Sequence, residues 1–258
     1  MMNLNKCKND IDLNGYTLIE NFFNPKKLEY LKNSLLDILN YVNHSEEKDL
    51  RKKYYEIKKF DAKLKSNWYD IVPYNIDMME SIHTPELINF VKFYFETKTL
   101  FSGRAAIHVH DNDNDKLLLP HQETNQFAVD CLLLWIPLWD TNKKTGGLTI
   151  FEKSHYQGYF DHQLEDPTGV KKWTHKYTNI NEDIYKKFKR TNLEVKAGTA
   201  VLAHSSLIHC GYPLTDKETV RITITERFNP LKKIPFLKDS TKPMKIPYVG
   251  TDYNIIKD

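Results

Sequence analysis

A histidine and a carboxylate in the middle of the chain have the residue types and the spacing of a metal site. His121 and Glu123 lie two positions apart in the segment LPHQETNQF, directly before a long apolar run. In an extended backbone, residues two apart project to the same side, so both side chains can face one ion. Two histidines and one carboxylate on one face of an iron leave other positions free for a cosubstrate and dioxygen. A second histidine must then come from elsewhere in the chain.

The segment LAHSSLIHCGYP, residues 202–213, offers two histidines for that position, His204 and His209. Twelve residues after His209 comes Arg221, in the alternating segment VRITITERF (220–228). This alternation is typical of a strand, with Arg221, Thr223, Thr225 and Arg227 on one face. A fixed guanidinium inside a barrel suits bidentate capture of the distal carboxylate of a dicarboxylic acid.

Two other interpretations use the same residue types. The triplet HVH (108–110) invites a cupin site, in which a glutamate joins two strand histidines, but the residues that follow are DNDNDK. We therefore expect His110 to face the same cavity as the other site residues and to help hold a cosubstrate or substrate. A zinc hydrolase also uses two histidines and one carboxylate, but it gives Arg221 no role.

The order of these residues along the chain resembles the phytanoyl-CoA dioxygenase-like family of Fe(II)/2-oxoglutarate-dependent oxygenases. The segments that carry the resemblance are HQE (121–123), LLLWIPLWDTNKKTGGLTIFEKSH (132–155), VKAGTAVLAHSSLIHCG (195–211) and Arg221. The resemblance implies that His121, Glu123 and His209 hold Fe(II). We favour His209 over His204 because it precedes Gly211 and lies nearer to Arg221.

The resemblance also assigns the cosubstrate pocket. It implies that Arg221 anchors 2-oxoglutarate and that Trp135 lines the pocket, although Trp135 also suits core packing. Thr223, two positions after Arg221, is a further candidate for binding the same carboxylate. The implied reaction uses O2 to hydroxylate a C–H bond of a small-molecule metabolite, with release of succinate and CO2.

Two positions depart from the family pattern. Glu123 stands where the family usually has aspartate, and its longer carboxylate can still ligate iron. A carboxylate at this position argues against a halogenase, whose relatives carry a small residue there. Cys210-Gly211 stand where Gly-Ser commonly follows the distal histidine, so a serine contact to the cosubstrate is missing.

A different class of protein, a non-catalytic jelly roll that binds a sugar or a small acid, is the alternative. The metal triad and the arginine discriminate between the two, because a binding module has no need of an iron with vacant positions. The long polar segment 155–190 lies between two predicted core strands and is a candidate lid or substrate loop.

The elements that must position these residues indicate a mainly β fold with helices (α+β). Helical spacing predicts helices over 25–42, 46–66 and 85–96, and strands follow at 100–110, 127–139, 148–153 and 220–228. Residues 193–205 are predicted to form a pair of short strands around a turn at Ala197-Gly198. We expect a double-stranded β-helix, or jelly roll, flanked by N-terminal helices. One domain is predicted over 1–258, with helical support in 1–98, the jelly-roll core in 99–228 and a C-terminal tail in 229–258.

Composition excludes several classes of partner. A net charge of +3 with 28% charged residues is too small to predict nucleic-acid binding. The apolar stretch CLLLWIPLW is far shorter than the roughly 20 residues of a membrane-spanning helix. The three cysteines are widely separated, and the N-terminus has no apolar signal segment. We therefore expect a cytoplasmic protein with a small-molecule substrate, and the sequence leaves the oligomeric state open.

Overall fold

The computed structural model describes residues 2–42, 47–60, 68–102, 105–111, 119–123, 130–160, 162–165, 177–216 and 219–230. Its helices are α1 (Leu4–Asn14), α2 (Pro25–Val42), α3 (Leu50–Phe60), α4 (Ile76–Ile82), α5 (Pro85–Phe95) and α6 (Glu182–Tyr185). Its strands are β1 (Tyr16–Ile19), β2 (Leu100–Ser102), β3 (Ala106–His110), β4 (Leu132–Pro137), β5 (Gly147–Phe151), β6 (His162–Glu165), β7 (Tyr177–Ile180), β8 (Arg190–Leu193), β9 (Ala200–His204), β10 (His209–Tyr212) and β11 (Arg221–Pro230). Short 3₁₀ helices cover Val72–Tyr74 and Ser154–Gln157.

Two stacked antiparallel sheets form the core. The major sheet has the order β1-β9-β4-β11-β2, with β3 also paired to β11, and the minor sheet has the order β10-β5-β8. Strands β6 and β7 form a separate ribbon. The predicted fold class, a jelly roll flanked by N-terminal helices, is confirmed.

Strand β4 shows why the two faces of the major sheet have different partners. All six of its residues are buried. Leu132, Leu134 and Ile136 belong to the apolar cluster that includes helix residues such as Leu31 and Phe90. Trp135, on the opposite face, packs with minor-sheet residues in a second cluster. Because successive side chains of a strand alternate, β4 separates the helical layer from the interior between the sheets.

The helices begin where their capping residues predict. The side chain of Asn24 accepts a hydrogen bond from the Lys27 backbone N–H before α2, and Thr84 caps Leu87 at the start of α5. Apolar residues of α2 at helical spacing are buried, namely Leu28, Leu31, Leu35 and Leu39. Among the described residues, no helix has both the length and the apolar character that crossing a bilayer demands.

Several predicted boundaries differ from the observed ones. The helix expected over 46–66 begins at Leu50, because the Asp49 carboxylate accepts from the backbone N–H groups of Arg51 and Lys52, and 61–67 lie outside the described residues. The strand expected over 100–110 is divided into β2 and β3. Helix α1 was not predicted, since only Cys7 and Ile11 of its residues are buried.

The turn predicted at Ala197-Gly198 connects two sheets rather than two paired strands. Strand β8 before the turn belongs to the minor sheet, and β9 after it belongs to the major sheet. The division into helical support, core and tail stays a prediction, because residues 231–258 lie outside the described part of the chain.

Gly198 provides a test of this connection. Its φ is +77°, and a Cβ built there would lie 2.3 Å from the backbone oxygen of Phe23. Replacement by alanine adds about 1–2 kcal/mol for the left-handed backbone and about 1–3 kcal/mol for the steric overlap. We expect Gly198→Ala to lower the free energy of unfolding, measured in urea by circular dichroism, by about 2–5 kcal/mol.

Gly158→Ala is the matched control. Gly158 also has a positive φ, +72°, but no atom would lie within 4 Å of a Cβ added to it. Its backbone, at φ +72° and ψ −143°, lies close to a region that is essentially restricted to glycine, so only a backbone cost of about 1–3 kcal/mol should remain there. A loss for Gly198→Ala no larger than about 1–2 kcal/mol would show that the contact with Phe23 has no role.

Candidate metal centre

The two histidines of the predicted triad are held together by the backbone. The His121 N–H donates to the His209 carbonyl oxygen at 3.0 Å, and the His209 N–H donates to the His121 carbonyl oxygen at 3.0 Å. This reciprocal pair is an antiparallel bridge that extends the minor sheet beyond β10. Directly opposite residues in such a pair project to the same face of the sheet. The imidazole rings accordingly lie 4.5 Å apart between centroids.

Glu123 is positioned by its neighbours in the HQE segment. Its backbone N–H donates to the Ser205 carbonyl oxygen at 3.0 Å. The Gln122 amide donates to the carbonyl oxygens of Gly158 at 2.8 Å and Ser206 at 2.6 Å, and it accepts from the Phe160 N–H at 2.9 Å. These hydrogen bonds fix the HQE segment on both sides and orient the Glu123 side chain towards the histidines.

One ligand atom of each triad residue points to a common position. His121 Nδ1 lies 2.7 Å from the Leu119 carbonyl oxygen, and His209 Nδ1 lies 3.0 Å from that of Leu207. A carbonyl only accepts, so each Nδ1 carries the proton and each Nε2 presents its lone pair. The Nε2 atoms of His121 and His209 lie 3.8 and 3.5 Å from Glu123 Oε1. The three ligand atoms lie within 4.8 Å of one another, and all three residues are buried. This donor set fits a divalent iron.

Arg227 is the residue of this centre to which the sequence analysis assigns no role. Its Nε donates to Glu123 Oε2 at 2.9 Å, and its Nη2 donates to Glu123 Oε1 at 3.0 Å. Burial alone would raise the pKa of the Glu123 carboxyl, but the Arg227 charge and the hydrogen bonds from its guanidinium hold that pKa well below its ordinary value. The sequence offered one signal for the role of Arg227, which is its position on the same polar face of β11 as Arg221.

Arg221 lies on the same face of β11, six residues before Arg227. Its Nη1 donates to the Tyr212 carbonyl oxygen at 3.0 Å. The Nε atom is buried, and no residue that the structure describes accepts a hydrogen bond from it. Burial lowers the pKa of Arg221 to about 10, which still leaves the guanidinium charged at neutral pH. Gly146 makes room for it, since a Cβ there would lie 2.3 Å from Arg221 Nη1.

One cavity between the sheets joins the triad to Arg221. Its described lining consists of His108, His110, His121, Glu123, Leu133, Trp135, Gly147, Leu148, His209, Cys210, Gly211, Arg221, Thr225 and Arg227. His110 and Trp135 are both part of this lining. Burial and the Arg221 charge lower the pKa of His110 to about 3, so its ring is neutral and can accept or donate a hydrogen bond. Thr223 does not appear in this described lining, and its hydroxyl donates to the His108 carbonyl oxygen at 3.4 Å.

His204, the alternative ligand, lies outside the triad. Its Nε2 is 3.9 Å from Asp130 Oδ1, and its Nδ1 is 2.7 Å from Ser206 Oγ. It lines a separate cavity that also contains Lys8 and Asp12 from α1. Of the two histidines in LAHSSLIHCGYP, the structure thus brings His209 and not His204 to His121 and Glu123.

A jelly roll with two buried histidines and one carboxylate between its sheets has the architecture of the facial-triad oxygenases. The family model described as Phytanoyl-CoA dioxygenase (PhyH) matches residues 11–221. The chain belongs to this family of Fe(II)/2-oxoglutarate-dependent oxygenases, which confirms the resemblance found in its sequence.

Several solved structures have the same fold. EctD from S. alaskensis, with 2-oxoglutarate and 5-hydroxyectoine, matches with a TM-score of 0.62 at 13% identity over 88% of this chain and 76% of that chain. The epimerase SnoN, in complex with Fe3+, alpha ketoglutarate and nogalamycin RO, matches with a TM-score of 0.56 at 15% identity over 96% and 92%. The carbocyclase SnoK from nogalamycin biosynthesis matches with a TM-score of 0.55 at 15% identity over 87% and 83%. A search of curated protein sequences gives no significant match.

Proposed function

We propose that the protein is a non-haem Fe(II)/2-oxoglutarate-dependent oxygenase that oxidises a C–H bond of a small-molecule metabolite, with hydroxylation as the default outcome. The observation that carries this proposal is the presence of a buried metal triad and a buried arginine in one cavity. A hydrolytic zinc site would account for the triad but would leave the buried Arg221 without a task. The similar structures that contain Fe3+ and alpha ketoglutarate, or 2-oxoglutarate, support iron and 2-oxoglutarate as the cofactors here.

In this proposal, His121, Glu123 and His209 hold Fe(II) through the two Nε2 atoms and Glu123 Oε1. The protonated Nδ1 atoms keep both imidazoles oriented, because each donates to a backbone carbonyl of the residue two positions earlier. Bound Fe(II) and 2-oxoglutarate supply the oxidising chemistry, in which O2 is consumed and succinate and CO2 are released. The protein contributes positioning and the exclusion of water.

Arg221 binds the distal carboxylate of 2-oxoglutarate. Its buried Nε, which has no hydrogen-bond partner among the described residues, supports this role, since a buried donor without a partner costs free energy that a carboxylate ligand recovers. His110 contributes a neutral hydrogen-bonding ring and Trp135 an apolar wall beside the cosubstrate. Thr223 acts through the backbone of His108 in this arrangement, rather than through its own contact with the cosubstrate.

The state of the cysteines supports the proposed cellular setting. None of Cys7, Cys131 and Cys210, all of which the structure describes, forms a disulfide, and all three are buried. Buried free thiols are typical of a reducing compartment, so we place the enzyme in the cytoplasm.

Anaerobic addition of Fe(II) and then 2-oxoglutarate tests the proposed function. We expect a visible metal-to-ligand charge-transfer band that requires both components, because the 2-oxo acid must chelate the iron. Admission of air should then release succinate, and pools of metabolites that contain the substrate should increase the rate. A protein that gives neither the band nor succinate would instead be a jelly-roll binding module.

A further inference from the structure

We infer that Arg227 is a positioning residue that makes Glu123 a single-oxygen ligand of the metal. The inference rests on the proposed function, because it concerns how the triad presents itself to iron. It also addresses the replacement of the family's usual aspartate by glutamate. The side chain of glutamate has one more rotatable bond than that of aspartate, so its carboxylate can rotate and bring both oxygens to an ion.

Arg227 occupies the edge of the carboxylate that such chelation would use. Its Nε–H and Nη2–H donate to Oε2 and Oε1 at 2.9 and 3.0 Å, in the parallel fork that a guanidinium forms with a carboxylate. A metal ion chelated by both oxygens approaches along that same edge. While these two hydrogen bonds are present, Oε2 is bound to Arg227 and does not face the histidines. The oxygen that faces them is Oε1, which lies 3.5 Å from His209 Nε2 and 3.8 Å from His121 Nε2.

Arg227 is itself fixed in position. It lies within β11, where it is paired with Leu133 of β4, and it is buried. Its third nitrogen, Nη1, lies 3.3 Å from Thr225 Oγ1 on the same face of the strand. The guanidinium therefore has a defined orientation before any metal binds, as a preorganised outer partner of a ligand requires.

The consequence concerns the positions that the metal keeps open. A chelating carboxylate takes one coordination position more than a carboxylate bound through one oxygen. In an oxygenase of the proposed kind, the positions that the triad leaves open would serve the cosubstrate and dioxygen. By restricting Glu123 to Oε1, Arg227 would keep one more of these positions available.

Co(II) is a suitable probe, because the intensity of its visible absorption decreases as its coordination number rises. We expect Arg227→Lys, which keeps the charge but loses the fork, to weaken Co(II) binding by about 10–100-fold. The visible absorption of its bound Co(II) should also fall below that of the wild type. Arg51→Lys is the matched control. Arg51 lies on α3, away from the cavity, and donates to Thr219 Oγ1 at 3.3 Å. Its replacement should leave the Co(II) affinity and the Co(II) absorption unchanged.

A purely structural ion pair would give a different result. Arg227→Lys would then lower the melting temperature, but the folded variant would bind Co(II) with wild-type affinity and spectrum, and this outcome would overturn the inference.

A second measurement needs no variant: the infrared difference spectrum of the wild-type protein on addition of Zn(II). A wide separation of the carboxylate stretching bands indicates binding through one oxygen and supports the inference, whereas the narrow separation of a chelate contradicts it. Absence of Co(II) and Zn(II) binding by the wild type would instead overturn the proposed function.

Discussion

Replacement of His209 by alanine is expected to abolish metal binding and turnover while the protein remains folded. The variant keeps two of the three ligand atoms, and removal of a direct ligand should exceed the 10–100-fold effect of losing an outer partner. We expect Co(II) affinity to fall by more than about 100-fold and succinate formation to become undetectable. The backbone pair with His121 does not involve the side chain, so β10 should persist. Co(II) titration and circular dichroism on the same sample test both expectations.

His204→Ala is the matched control for this prediction. His204 is a histidine of the same segment, five residues earlier, and its side chain contacts Asp130 and Ser206 instead of the triad. Its removal should leave Co(II) affinity within about threefold of the wild type, because it is not a ligand and touches none. If His204→Ala lost the metal and His209→Ala kept it, the assignment of the second histidine would be reversed.

The choice between these two histidines shows what could be predicted from the sequence and what could not. Alternation in VRITITERF and helical spacing in 25–42 depend on local chemistry, and both elements are present as β11 and α2. The pairing of His121 with His209 depends on the register between two segments that are far apart in the chain. Register is set by the packing of the whole barrel, so the sequence favoured His209 by its position near Gly211 and Arg221 but left His204 as an alternative.

The role of Arg227 could not be predicted from the sequence for a related reason. Its face of β11 was correctly identified, but an arginine on a strand is most often a solvent-exposed charge. Only the three-dimensional arrangement reveals that β11 crosses beside the HQE segment and that Glu123 reaches the guanidinium. The sequence did reveal the other member of this pair, because Glu123 stands where the family usually has aspartate. The longer side chain of glutamate brings its carboxylate within hydrogen-bond distance of Arg227.

Replacement of Arg221 by methionine should remove the recognition of 2-oxoglutarate without affecting the metal. Two charge-assisted hydrogen bonds of about 1.5–3 kcal/mol each are lost. Since about 1.4 kcal/mol corresponds to a factor of ten in affinity, the dissociation constant for 2-oxoglutarate should rise by about 10²–10⁴-fold. Arg221→Lys keeps a point charge without the fork and should be intermediate. Both values can be obtained from anaerobic titrations of the visible charge-transfer band.

The control for the Arg221 prediction is a comparison of two 2-oxo acids. The acid 2-oxopentanoate has the same chain length as 2-oxoglutarate and the same metal-chelating end, but it lacks the distal carboxylate. The wild type should prefer 2-oxoglutarate by the full factor that Arg221 contributes, and Arg221→Met should bind the two acids with similar affinity. If the variant weakened both acids equally, Arg221 would act on the shape of the pocket rather than on the carboxylate. Because Arg221 Nε is already buried without a described acceptor, the same substitution should not destabilise the unliganded protein by more than the loss of its charge-assisted bond to Tyr212, about 1.5–3 kcal/mol. An arginine kept for stability alone would show the opposite pattern, with a large loss of stability and no change in the preference between the two acids.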